Sequence, residues 1–149
     1  MLADVRKLTG KILPLATLFQ APTIATLAEL LRNEGWSPSW SSLVPIKLQG
    51  ANTPIFLVHG AEGNVLLYRQ LSQYLDGDHP IYGLQSSGLD GKGTLDRTIE
   101  QMASRYVKEI TALYPQGPYI VGGYCMGGTV ALEMAQQLTA MGQRVSLVI

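Results

Sequence analysis

Ten residues in the last third of the chain, Tyr119-Ile-Val-Gly-Gly-Tyr-Cys-Met-Gly-Gly128, restrict its possible folds more than any other stretch. An apolar run breaks into glycines and passes directly into a helical pattern, with Val130, Met134 and Leu138 facing inward. That order predicts a strand, a sharp turn and a helix packed back on the strand. Gly123 and Gly127 stand two residues before and two after Cys125, where the absence of a Cβ lets strand and helix approach closely. The residue at the apex is then held in a strained backbone conformation with its side chain presented outward.

The rest of the chain repeats the alternation. Strands are expected at 44–48, 55–59, 81–84, 119–122 and 145–149, several of them continuous apolar runs of the kind covered on both sheet faces. Between them the clearest helix spans about 95–113, where Ile99, Met102, Tyr106, Ile110 and Leu113 keep a single inward stripe. A second is expected from near Asn64 with Val65, Leu67, Leu71 and Leu75 inward, and a third from near Met126. Alternating strands and helices joined by short turns imply an α/β domain with a largely parallel sheet. Because the apolar strand at 145–149 has neither loop nor helix after it, the domain is expected to continue past Ile149.

A composition break lies at 35–42, Gly35-Trp-Ser-Pro-Ser-Trp-Ser-Ser42, and reads as a linker. Before it, Leu13, Leu15, Leu18, Phe19, Ile24, Leu27, Leu30 and Leu31 predict two or three short helices, with Thr23 as an N-cap and Gly35 as a stop. This piece is too short to build an independent core.

Charge and cysteine content narrow the function classes. Of the 149 residues 46% are hydrophobic, and 11 basic groups balance 11 acidic ones, so nothing marks the chain for nucleic acid or an anionic membrane. No run reaches the length of a membrane span, and no secretory signal precedes the first helix. One cysteine makes neither an internal disulfide nor a Cys-based zinc site, and with no signal peptide it favours the reducing cytoplasm.

That cysteine occupies the serine position of a G-x-S-x-G turn, Gly123-Tyr-Cys-Met-Gly127, between a predicted strand and a predicted helix. A sulfur at a helix N-terminus is favoured as the nucleophilic anion by the helix dipole. An arbitrary free cysteine is more often buried and inert; the four glycines and the strand-turn-helix context favour Cys125 as a nucleophile. Acyl transfer also needs converging N–H donors for the oxyanion. The strand running into His59-Gly60 and a glycine-containing turn supplies one, the Ala61 N–H, and the start of the third helix the other, the Met126 N–H.

From about Leu43 onward the sequence resembles the N-terminal part of the thioesterase domain of nonribosomal peptide and polyketide synthetases, an α/β-hydrolase. The matching pieces are Pro54-Ile-Phe-Leu-Val-His-Gly60, Tyr68-Arg-Gln-Leu-Ser72, Ile81-Tyr-Gly-Leu-Gln85, Gly88-Leu-Asp90 and the Cys125 turn. Leu13-Pro-Leu-Ala-Thr-Leu-Phe-Gln-Ala-Pro-Thr-Ile-Ala-Thr-Leu-Ala28 is similar to the last helices of an acyl or peptidyl carrier domain. The resemblance implies the C-terminal part of a carrier domain at 1–35, a linker at 36–42 and part of a thioesterase domain at 43–149. It further implies an acyl or peptidyl chain delivered on the carrier's phosphopantetheine, attack by Cys125, and release as acid or ring from a thioester-linked acyl-enzyme. The thioesterase itself binds no cofactor or metal on this reading.

The resemblance also sets out what is expected to lie elsewhere. The carrier serine is expected just before Met1, and neither Ser41 nor Ser42 fits it. In the family the acid and base follow the nucleophile, so a triad Asp and a later His are expected past Ile149 and the 149-residue chain is expected to turn over little. His59 and His79 precede Cys125 and are read as structural or surface residues, Asp90 as a turn residue and Asp96 as a helix N-cap. Two other readings compete: a dienelactone-hydrolase-like α/β-hydrolase, whose turn also carries cysteine, and a non-catalytic interaction module.

Overall fold

The structure, a computed structural model, describes residues 1–75, 77–89 and 95–149. Asp90 and its expected turn lie outside the described residues. Three helices open the chain: α1 (Leu2–Thr9), α2 (Thr17–Gln20) and α3 (Ile24–Arg32). Thr23 caps α3 as expected, its hydroxyl accepting the Thr26 N–H while Thr26 Oγ1 accepts the Thr23 N–H, both at 3.1 Å. The helix stops at Arg32, not at Gly35; Asn33 takes an extended conformation and its side chain accepts the Gly35 N–H. Leu13, Ala21 and Leu27 form a small cluster with Trp36 packed against it.

Among the described residues five strands form one sheet in the order β1-β3-β2-β4-β5: β1 (Leu43–Lys47), β2 (Ile55–Val58), β3 (Ile81–Leu84), β4 (Tyr119–Gly123) and β5 (Val145–Val148). β1 runs antiparallel to β3 and every other pairing is parallel. On one face α5 (Ile99–Leu113) and α6 (Met126–Ala140) bury Phe56, Val58, Leu84, Tyr106, Ile110, Met134 and Leu138 in a common core. On the other, α4 (Tyr68–Tyr74) covers Val44, Ile55, Leu57 and Ile81, joined by Ala16 beside α2 and by Phe19. Of the N-terminal helices, α2 therefore adds to the apolar cover of this face of the sheet.

Helix α4 corrects the sequence reading. It starts at Tyr68, not near Asn64, because after the 60–63 turn, where Gly63 has φ +75°, the Asn64 side chain accepts the Leu66 N–H at 3.1 Å and a further turn brings the Tyr68 N–H to Val65 O at 3.1 Å. Leu67 and Leu71 are consequently exposed; Val65 is buried as expected, Leu75 packs partly buried, and Tyr68 points inward where the sequence predicts a leucine. Helix α5 begins three residues later than Asp96, with Thr98 as its cap, and Leu113 is exposed. Asp96 pairs with Arg105 through bonds of 2.8 and 3.0 Å and is not the N-cap. Among the described residues no helix is long and apolar enough to cross a membrane.

Candidate active site

Strand β2 leads through α4 to β3 on one side, whereas its neighbour β4 leads through α6 to β5 on the other. Diverging connections open a crevice at the C-terminal ends of the two strands, where α/β sheets place their ligands. The residues ending β2 and β4 here are His59-Gly60-Ala61 and Tyr124-Cys125-Met126.

Cys125 is the N-cap of α6, with φ 58° and ψ −121°, and it is exposed. Among the described residues it alone combines a side chain with a positive φ. That conformation costs of order 1–3 kcal/mol and is held only where the surroundings over-determine it. The surroundings are visible. A Cβ on Gly127 would stand 2.5 Å from both Val58 O and His59 O, and one on Gly123 would overlap the Gly127 backbone. The helix therefore meets the end of β2 backbone to backbone.

Tyr68 ties this junction together. Its buried hydroxyl donates to Val58 O at 2.5 Å and accepts the Tyr124 N–H at 3.0 Å, bridging the last residue of β2 to the residue before Cys125. Burial pushes its pKa up, against the Tyr124 N–H bond, which lowers it, so the phenol keeps the proton it donates. Replacement by phenylalanine takes the hydroxyl from the buried Val58 carbonyl and from the part-buried Tyr124 N–H, and a loss of roughly 1–3 kcal/mol is expected from urea unfolding of Tyr68→Phe.

Among the described residues neither the Ala61 nor the Met126 N–H donates a hydrogen bond. Met126 is the first residue of α6, where an N–H has no helical partner, and Ala61 is exposed on the turn after β2. The turn abuts the Cys125 loop: a Cβ on Gly60 would lie 3.3 Å from the Tyr124 ring. Glu62, Asn64, Leu67 and Tyr124 line a cleft of about 360 Å³ beside it. A larger groove of about 630 Å³ runs along α5 between Asp96 and Glu109, but shares no lining residue with the Cys125 loop.

The two histidines are engaged elsewhere. His59 is buried, with Nδ1 2.5 Å from Gly60 O and Nε2 2.9 Å from the Tyr106 hydroxyl. Burial lowers its pKa, outweighing the Gly60 bond and the Glu62 charge, which raise it. His79 Nδ1 donates to Thr53 O at 2.7 Å. Among the described residues no group of three or more His, Cys, Asp or Glu side chains is placed to hold a metal ion. Sequence patterning gives Tyr106 only as part of an apolar stripe and does not anticipate the hydroxyl bridge made by Tyr68.

Comparison with known proteins places the fold in a family. Residues 53–149 match the thioesterase domain family model. The chain is 42% identical over 150 residues to malpinin synthetase of Mortierella alpina and 37% identical over 149 residues to a dimodular nonribosomal peptide synthase of Bacillus subtilis. These matches take in 99% and 100% of the chain but only 2% and 6% of those proteins. A four-domain nonribosomal peptide synthetase, solved with AMP and glycine, superposes with a TM-score of 0.72 at 33% identity over 99% of this chain and 11% of its own. The NocB thioesterase domain, solved alone and as a covalent complex with a fluorophosphonate nocardicin G analogue, gives 0.61 at 38% identity over 66% of this chain and 45% of its own. The chain belongs to the thioesterase domain family found in nonribosomal peptide synthetases.

Proposed function

We propose that this chain takes an acyl or peptidyl group from the phosphopantetheine thioester of a carrier domain onto Cys125, as the first half of chain release. The observation that carries the reading is the exposed Cys125 at φ 58° on the N-terminus of α6, beside a turn whose Ala61 N–H is unengaged. The Cys125 sulfur, as thiolate, adds to the thioester carbonyl carbon, and the oxygen takes up the negative charge that the Ala61 and Met126 N–H groups stabilise. The carbon–sulfur bond to the carrier then breaks, the carrier sulfur leaves as thiolate and takes a proton from water, and Cys125 holds the acyl group as a new thioester. One thioester replaces another, so the exchange is close to isoenergetic.

Residues 1–35 are read as the end of that carrier domain, 36–42 as the linker and 43–149 as thioesterase. Support comes from coverage: the multidomain synthetase aligns along 99% of the chain, the isolated thioesterase domain along 66%. A nucleophilic thiol suits the reducing cytoplasm. The second half, release by water or by a nucleophile within the substrate, needs a base. His59 is closed off by Gly60 and Tyr106, and His79 faces Thr53, so turnover by this chain is slow.

The test is incubation of the chain with an acyl thioester of N-acetylcysteamine, a short mimic of the phosphopantetheine end. Intact mass is expected to rise by one acyl group, with peptide mapping placing it on Cys125. Rapid multiple turnover would overturn the account of the base, and the absence of any adduct would overturn the role of Cys125.

A further inference from the structure

His59 is the buried titratable group that this acyl-transfer chemistry leaves without a task. It is 1% exposed, and both ring nitrogens have partners. A carbonyl oxygen can only accept, so Nδ1, 2.5 Å from Gly60 O, carries the ring proton. Burial favours the neutral ring, which leaves Nε2 to accept the Tyr106 hydroxyl at 2.9 Å. That hydroxyl also donates towards Gln85 O at 3.1 Å, so its one proton is shared between that carbonyl and Nε2, and burial keeps it on the phenol. With both nitrogens occupied, the imidazole has no lone pair to offer Cys125.

What the ring does hold is a peptide plane. Gly60 O belongs to the same peptide group as the Ala61 N–H, and in a trans peptide these two point in opposite directions. The carbonyl is drawn inward to the buried imidazole, so the N–H is turned to the exposed side of the turn. Two backbone bonds steady the remainder: Gly63 N–H to Gly60 O at 3.1 Å, and Ser86 N–H to Gly63 O at 2.8 Å. The Gly60 carbonyl oxygen is thus shared by the Gly63 N–H of the turn and by the buried imidazole, which is its shorter partner.

We propose that His59 is a positioning residue, whose Nδ1–H fixes the Gly60–Ala61 peptide so that the Ala61 N–H meets the oxyanion formed at Cys125. The inference rests on Ala61 as an oxyanion donor, and the Tyr106 hydroxyl serves it by fixing the ring's tautomer and orientation. Its signature is selective. A group that acts through the oxyanion slows only reactions in which an oxyanion forms.

Two reagents applied to the full chain separate the cases: the acyl thioester of N-acetylcysteamine, which passes through a tetrahedral oxyanion, and iodoacetamide, which alkylates the same sulfur at a saturated carbon. For His59→Leu the acylation rate is expected to fall roughly 10- to 100-fold, part of the loss seen when an oxyanion donor is removed, with alkylation nearly unchanged. His59→Asn, whose side-chain N–H can reach Gly60 O, is expected to retain most of the acylation rate, and Tyr106→Phe to lose about threefold to tenfold. If His59→Leu does not fold, the asparagine and phenylalanine variants decide by the same ratio. Equal slowing of both reactions, or acylation unchanged in His59→Leu, or unchanged in Tyr106→Phe where that variant decides, overturns the inference while leaving Cys125 as the nucleophile. Failure of the unaltered chain to acylate overturns the functional reading and this inference with it.

Discussion

Cys125→Ala is expected to take up no acyl group from a thioester at any concentration, while its unfolding free energy stays within about 0.5 kcal/mol of the parent. The side chain is exposed, so little packing goes with the sulfur, and alanine inherits the same φ of 58°. Cys125→Gly is the informative partner. Glycine removes the strain of a side chain at positive φ, of order 1–3 kcal/mol, and gives back about 0.4–1 kcal/mol through the freer unfolded chain. A net gain of roughly 1 kcal/mol is expected, read by urea unfolding, together with complete loss of the adduct. A position where the reactive residue is worse for the fold than glycine is one where function has been preferred to stability. A Cys125→Gly variant less stable than the parent would show that the turn does not store strain, and an adduct on Cys125→Ala would move the nucleophile elsewhere.

Why this turn is legible in the sequence follows from its sterics. Gly123 is required by a local event, a strand folding directly back into a helix, since its Cβ would overlap the Gly127 backbone; Gly127 belongs to the same local pattern, although the atoms its own Cβ would meet, Val58 O and His59 O, lie at the end of β2. The inward residues Val130, Met134 and Leu138 of α6 are legible for the same reason, and each is fully buried. Partners set by long-range packing are not. The antiparallel pairing of β1 with β3 joins residues some forty positions apart, and nothing in either apolar run encodes its direction. Helix α4 is misplaced because Leu67 and Leu71 satisfy an apolar period as well as Tyr68 does; the Asn64 side-chain bond to the Leu66 N–H and the turn from Val65 to Tyr68 decide between them. Asp96 and Thr98 are both acceptable N-caps by residue type, and the guanidinium of Arg105, nine residues beyond Asp96, claims the first. The Tyr68 bridge and the His59–Tyr106 pair are of the same long-range kind: residue type says that a buried hydroxyl or imidazole needs a partner, and only the fold says which.

Gly127→Ala is expected to be strongly damaging for a change of a single methyl group. By helix propensity alone it should help, since alanine inside a helix is better than glycine by about 0.5–1 kcal/mol. Gly127 is buried in α6, however, and the added methyl would stand 2.5 Å from two backbone carbonyl oxygens, Val58 O and His59 O. No rotamer relieves a Cβ, and β2 is held between β3 and β4 with all four residues buried, so the helix must retreat. Retreat carries Met126 with it and pulls Tyr124 away from the Tyr68 hydroxyl that also holds Val58. A loss of about 4 kcal/mol or more is expected, at the upper end for single substitutions. Gly128→Ala is the control: the nearest heavy atom to its Cβ is Gly123 O at 3.3 Å, and a change within about 1 kcal/mol is expected. Urea unfolding of both variants, with acyl uptake measured where each is still folded, separates the two outcomes. If Gly127→Ala proves as benign as its neighbour, the helix does not meet β2 backbone to backbone, and the contact that over-determines the conformation of Cys125 is not there.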